Sequence, residues 1–183
     1  MKKRLLCFLL AALMVLGMAA VSPVQARAES LMTTSDALVD LLKEFEGFSK
    51  YPYWDYSLWT VGFGTRCPED QLERYTNEGI TEEEAEALLR EHIAIAESAV
   101  NRFIDKFSLT VNQGQFDCMI CFSFNCGTSW LNKSGTLRNA IIEGKTGNDF
   151  LYAMCLWCWA GNKIQPGLVE RRLIEANIYL NGI

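Results

Sequence analysis

The sequence has a single histidine, His92, in 183 residues. It follows Thr81-Glu82-Glu83-Glu84 in a helical stretch, far from any Ser or Cys motif, and reads as a surface side chain. That excludes two chemistries, because a Cys-His peptidase and a His-rich zinc amidase each need histidine in the site. The chain also lacks a basic stripe. Net charge is −5, and residues 1–28 hold four basic groups (Lys2, Lys3, Arg4, Arg27) and no acid. The remainder therefore carries 13 basic against 22 acidic residues, a net of −9. A surface of that sign cannot neutralise phosphates, so nucleic acid is excluded as a partner. Nor would it be drawn to any other polyanion, so binding to one must come from a shaped groove. Internal repeats, low-complexity segments and long polar tracts are missing as well. One folded domain is expected after the first 28 residues.

What is present begins with an apolar N-terminus. Lys2, Lys3 and Arg4 form a positive start, Leu5–Val21 is an apolar run of 17 residues, and Ala26-Arg27-Ala28 is a small-x-small cleavage pattern. Residues 1–28 are therefore read as a signal peptide and residues 29–183 as the domain, exported from the cell. The rival reading is an uncleaved anchor, although the run falls just short of the ~20 residues that span a bilayer comfortably. Membrane contact is expected only through this leader, and the domain is expected to be a monomer.

Seven cysteines occur, Cys7 in the leader and then Cys67, Cys118, Cys121, Cys126, Cys155 and Cys158. An even number after export suggests disulfides, but about 15 pairings are open. Cys118-x-x-Cys121 and Cys155-x-x-Cys158 have the spacing of half zinc sites. Their apolar neighbours favour core thiols or disulfides over metal, because zinc ribbons place their ligands on turns. No metal or organic cofactor is expected.

Ser35 can cap a helix from Asp36 to Glu46, with Leu38, Leu41, Leu42 and Phe45 on one face and Gly47 ending it. Residues 50–66 are dense in aromatics and glycine and suggest a β-hairpin or small sheet. Thr81-Glu82-Glu83-Glu84 opens a long helix to about Ile104 through a capping box. Helices are then expected over residues 112–126, 134–143, 147–159 and 167–181. The plan is α+β, with a small β lobe, a larger all-helical lobe and a groove between them.

Chemistry concentrates at the first boundary. Glu46 ends a helix, where the dipole disfavours ionisation, and Phe45 and Phe48 add desolvation. Both effects suit a general acid. Asp55 lies among turn residues and is expected to stay ionised. Two carboxylates in contrasting environments form an acid/base pair, and glycoside hydrolysis commonly uses one. By spacing alone, an ordinary helix-end Glu and turn Asp remain open. Glu44 lies on the other side of its helix and reads as exposed.

The stretch from Glu46-Gly47 through Asp55, Thr60, Gly62 and Gly64 resembles the signature of the phage-type lysozymes, the endolysin family of glycoside hydrolases. Thr65 stands where several members carry His, and the Asp-to-Thr spacing is one residue shorter than in some, a shift assigned to the hairpin turn. Downstream, Gln115-Phe116-Asp117, Ser123-Phe124-Asn125-Cys126-Gly127, Ser134–Arg138 and Pro166-Gly167-Leu168-Val169-Glu170-Arg171-Arg172 resemble later family segments. The likeness covers about residues 36–181 and implies a lysozyme-like fold. It implies that Glu46 protonates the glycosidic oxygen between N-acetylmuramic acid and N-acetylglucosamine of peptidoglycan glycan strands. Asp55 and Thr60 would activate a water on the opposite face, giving inversion, and Gly64, Phe124 and Asn125 would contact sugar. Phe124 as plain core and Asn125 as a helix cap remain alternatives.

Other groups have simpler readings. Arg171 and Arg172 are expected to make i, i+4 pairs such as Arg171–Glu175. Trp157 and Trp159 are read as core from helical spacing. Two rival functions stay open, a catalytically silent wall-binding module and a lytic transglycosylase.

Overall fold

A computed structural model describes residues 31–183; the leader expected over residues 1–28 lies outside the described residues. Helix α1 (Asp36–Glu46) starts where the Ser35 side chain accepts from the Leu38 amide and stops at Gly47. Gly47 has φ of 67°, a conformation suited to glycine. Leu38, Val39 and Leu42 form its buried stripe.

Three antiparallel strands follow in the order β1 (Ser49–Asp55), β2 (Leu58–Gly62) and β3 (Thr65–Arg66). The hairpin turn is only two residues long, and Tyr56 adopts a left-handed φ of 49° there. A short 3-10 turn (Glu69–Gln71) and α2 (Leu72–Glu78) lead to α3 (Glu82–Lys106). Thr81 and Glu84 close the capping box on α3. The sheet sits directly on that end of α3, since a Cβ on Gly62 would lie 2.7 Å from the Ala85 Cβ.

The helical body continues with α4 (Gln113–Cys126), a 3-10 turn (Ser129–Leu131), α5 (Thr136–Ile142) and α6 (Gly147–Cys155). Helix α4 is buried on nearly all sides, from Phe116 to Ser123. A two-stranded hairpin of β4 (Trp159–Ala160) and β5 (Lys163–Ile164) precedes α7 (Pro166–Asn181). Proline at the first position of α7 costs no hydrogen bond. The architecture is α+β as expected. The expected helix 147–159 is corrected, since α6 ends at Cys155. Trp157 and Trp159 are consequently not core residues, and both are substantially exposed. Helical spacing loses its meaning once the helix has stopped.

The lead-in is strapped down. The amide and carbonyl of Met32 bond the Asn101 side chain, and the Thr34 amide donates to Glu97 Oε1. Buried Asp117 on α4 accepts from the Ser35 amide and hydroxyl and from Gln113. No helix among the described residues is long and apolar enough to cross a membrane.

Candidate active site

Glu46 is the last residue of α1, half-buried at the junction with the sheet. Its Oε1 accepts from Arg171 Nη1 at 3.0 Å. Its Oε2 faces Gly64, where an added Cβ would sit 3.1 Å away. One carboxyl oxygen is thus committed to a guanidinium and the other is turned towards the β2–β3 connection. Arg171 reaches across from α7 with its guanidinium 4.8 Å from the Phe45 ring centroid. The helix-end and aromatic surroundings inferred from sequence are therefore joined by an ion pair.

Strand register arranges the other candidates. Tyr53 pairs with Thr60, Trp54 with Trp59 and Asp55 with Leu58. Directly opposed residues share a face, and successive residues alternate. Tyr53, Asp55, Leu58 and Thr60 therefore lie on one face of the hairpin, and Trp54 and Trp59 on the other. Asp55 and Thr60 are diagonal neighbours on this ladder, ~7–8 Å apart at the backbone. Asp55 is exposed at the tip and Thr60 is 3% exposed at the base.

Tyr53 lies within reach of the charge of both carboxylates. Burial pushes its phenol up, and the charges of Asp55 and then Glu46 add to the shift. Its hydroxyl is accordingly held protonated within the field of both groups. Tyr53 is not among the candidates legible as a motif, although its place two residues before Asp55 puts it on the same strand face.

The second wall comes from α3 and α4. Phe124 is half-buried and its ring lies 4.6 Å from the His92 imidazole. Burial lowers the His92 pKa and the Glu46 charge opposes that shift, so His92 shares the electrostatic neighbourhood of the site. It is exposed, as expected for a surface side chain, but its packing on Phe124 corrects the reading of His92 as remote from the candidate site. Asn125 is exposed and its Oδ1 accepts from Arg172 Nη2 at 2.8 Å. Asn125 lies inside the last turn of α4 and is not its cap.

Behind this wall is a buried ionic cluster. Arg172 and Glu175 are 0% exposed. Glu175 Oε1 accepts from Arg172 Nη2 at 2.9 Å and Arg171 Nε at 3.3 Å. Its Oε2 lies 2.8 Å from Arg172 Nε. Burial nonetheless raises the Glu175 carboxyl above its usual range. The expected Arg171–Glu175 pair is present. The link from Arg171 to Glu46 spans 125 residues and had no local signal. All six described cysteines are free thiols, with Cys118 and Cys121 in the core. Among the described residues no cluster of three or more His, Cys, Asp or Glu side chains could hold a metal.

A small antiparallel sheet docked on the start of the longest helix, with a helical body behind it, is the lysozyme-like form of the α+β class. Solved structures share it. The endolysin from Escherichia coli O157:H7 phage FAHEc1 superposes with a TM-score of 0.69 at 26% identity, covering 83% of this chain and 96% of that one. The muramidase domain of SpmX from Asticaccaulis excentricus gives 0.68 at 26% identity, covering 81% and 98%. The chain belongs to the phage lysozyme family, whose model matches residues 43–175. It is also 32% identical over 157 residues to the endolysin of Bacillus phage B103. That alignment takes in 82% of this chain but spans only about half, 55%, of the phage protein.

Proposed function

We propose that this chain is an exported muramidase that hydrolyses the β-1,4 bond between N-acetylmuramic acid and N-acetylglucosamine in peptidoglycan. The observation carrying this reading is the placement of Tyr53, Asp55 and Thr60 on one hairpin face, with Tyr53 inside the fields of both Asp55 and Glu46. Glu46 is the general acid, delivering its proton to the leaving oxygen from Oε2, the oxygen free of Arg171. Asp55 accepts a proton from a water that Thr60 helps to position, and attack from the opposite side of the ring inverts the anomeric carbon. Gly64, Phe124 and Asn125 contact the glycan. The catalytic unit acts as a monomer outside the cytoplasm, after removal of the leader.

The decisive experiment pairs cell-wall lysis with mass spectrometry of the products. Glu46→Gln should lower the lysis rate by ~10²–10⁴-fold while wall binding and the circular dichroism spectrum stay the same. Products of the wild-type chain should end in reducing sugars. Undiminished lysis by Glu46→Gln removes the acid assignment. Anhydro-muramyl ends instead reassign the chain as a lytic transglycosylase. Binding without any product leaves a silent module.

A further inference from the structure

The segment between α6 and α7 holds two thiols that the hydrolytic chemistry does not use. Cys155 is the last residue of α6 and Cys158 lies three residues on, in a turn closed by a 3.3 Å bond from the Cys158 amide to the Cys155 carbonyl. A turn of that kind brings its first and fourth Cα atoms within ~7 Å of each other. Disulfides need ~4.4–6.8 Å. The two thiols also differ in access. Cys155 is partly exposed, whereas Cys158 is 3% exposed, with its Sγ 3.7 Å from the Leu168 carbonyl of α7. The remaining thiols lack this combination. Cys118 and Cys121 share the spacing but lie inside a helix, at 1% and 0% exposure. Cys126 is held by Arg172 Nη1 at 3.0 Å, and Cys67 is buried in the core with no second cysteine near it in sequence.

We propose that Cys155 and Cys158 form a redox-reactive dithiol that closes to an intramolecular disulfide when the chain meets an external disulfide. Cys155 is the attacking thiol and Cys158 the resolving one. The Cys155 thiolate attacks one sulfur of the external disulfide, forming a mixed disulfide and releasing one thiolate. The Cys158 thiolate then displaces the second one. Two cysteine thiols are oxidised, the external disulfide is reduced to two thiols, and two protons pass to the departing sulfurs. Closure ties the end of α6 to the turn that feeds α7, the helix bearing Arg171 and Arg172. It does not depend on the muramidase reading.

The test uses the full folded chain with oxidised glutathione as the external disulfide. After an acid quench, free thiols are alkylated in denaturant and the chain is cut with trypsin. No lysine or arginine separates Lys145 from Lys163, so Cys155 and Cys158 fall on one fragment, residues 146–163. That fragment should lose two hydrogens and resist alkylation. Cys158→Ser should instead trap glutathione on Cys155, and Cys155→Ser should carry none on Cys158. The proposal is overturned if the wild-type fragment stays alkylatable at both cysteines. It is equally overturned by a stable glutathione adduct without the internal bond, or by a cross-link to another fragment. An adduct on Cys158 in Cys155→Ser overturns the order of attack.

Discussion

Gly64 leaves only a tight fit for a side chain on the side that faces Glu46. Its φ is +69°, a region that costs an L-residue about 1–2 kcal/mol. A methyl group there would also press on Glu46 Oε2 from 3.1 Å. Gly64→Ala should therefore lower stability by about 1–2 kcal/mol in a urea melt and reduce lysis by ~10-fold or more, through displacement of the carboxyl. Equal losses of folded protein and of activity would mean that Gly64 serves the backbone alone. Single residues were legible in the sequence to different depths. Glu46, Asp55, Thr60 and Gly64 occupy one contiguous stretch, so their order carried the resemblance. Tyr53 was readable from strand alternation but needed the register, Tyr53 against Thr60, to be placed. His92 could not be assigned to the site, because its contact with Phe124 joins two helices.

Elements were readable where a periodic stripe was long. The stripe of α1 and the capping boxes of α3 and α4 lie in plain sequence. Helix α2 did not show, because it is seven residues long and buries only Tyr75. The β4–β5 hairpin was hidden behind an apolar run, although Gly161-Asn162 is a turn signal. Contacts between elements were out of reach of any local pattern, and one of them can be tested. Lys43 of α1 bonds Glu86 of α3. Hydrogen bonding to Glu86 raises the Lys43 pKa, and the bond from Lys43, then that from Arg90, lowers that of Glu86. The benefit of a depressed acid is present above its unfolded pKa and fades as pH falls through the folded value. The benefit of a raised lysine is present below its unfolded pKa and fades as pH rises through the folded one. Lys43→Met should cost about 0.5–1 kcal/mol near neutrality. The gap in Tm from wild type should narrow at both pH extremes, and a gap independent of pH would show that packing alone is lost. The Arg172–Glu175 pair within α7 behaves differently, both side chains being fully buried. Arg172→Met leaves the buried Glu175 carboxylate with Arg171 as its one remaining cationic partner and should cost about 3–5 kcal/mol, whereas Arg172→Met with Glu175→Leu should recover most of it. Urea melts of the double-mutant cycle measure this, and additive losses would mean that the two groups are not coupled.

For the whole molecule, charge and shape act in opposition. The chain carries a net −5, and −9 over residues 29–183, while the proposed substrate is a wall that is itself anionic. Long-range attraction cannot bring the two together, so short-range contact must hold them. The hairpin supplies aromatic surface for this, with Tyr53 beside Asp55 and the Trp54–Trp59 pair on its other side, ring centroids 5.5 Å apart. Repulsion between like-charged surfaces is screened by salt, whereas contact at the site is not. Raising ionic strength from about 0.01 to 0.15 M shortens the Debye length from ~30 to ~8 Å, less than the width of the domain. Lysis of intact wall should therefore accelerate, by about two- to five-fold, over that range. Cleavage of a short uncharged glycan should stay level, because no polyanion approaches. Rates on wall and oligosaccharide, measured side by side at each salt concentration, separate the two effects. A wall rate that falls with salt would mean that a local positive patch outweighs the net charge. Arg171 and Arg172 cannot supply one, since both guanidiniums are turned inward on Glu46 and Glu175.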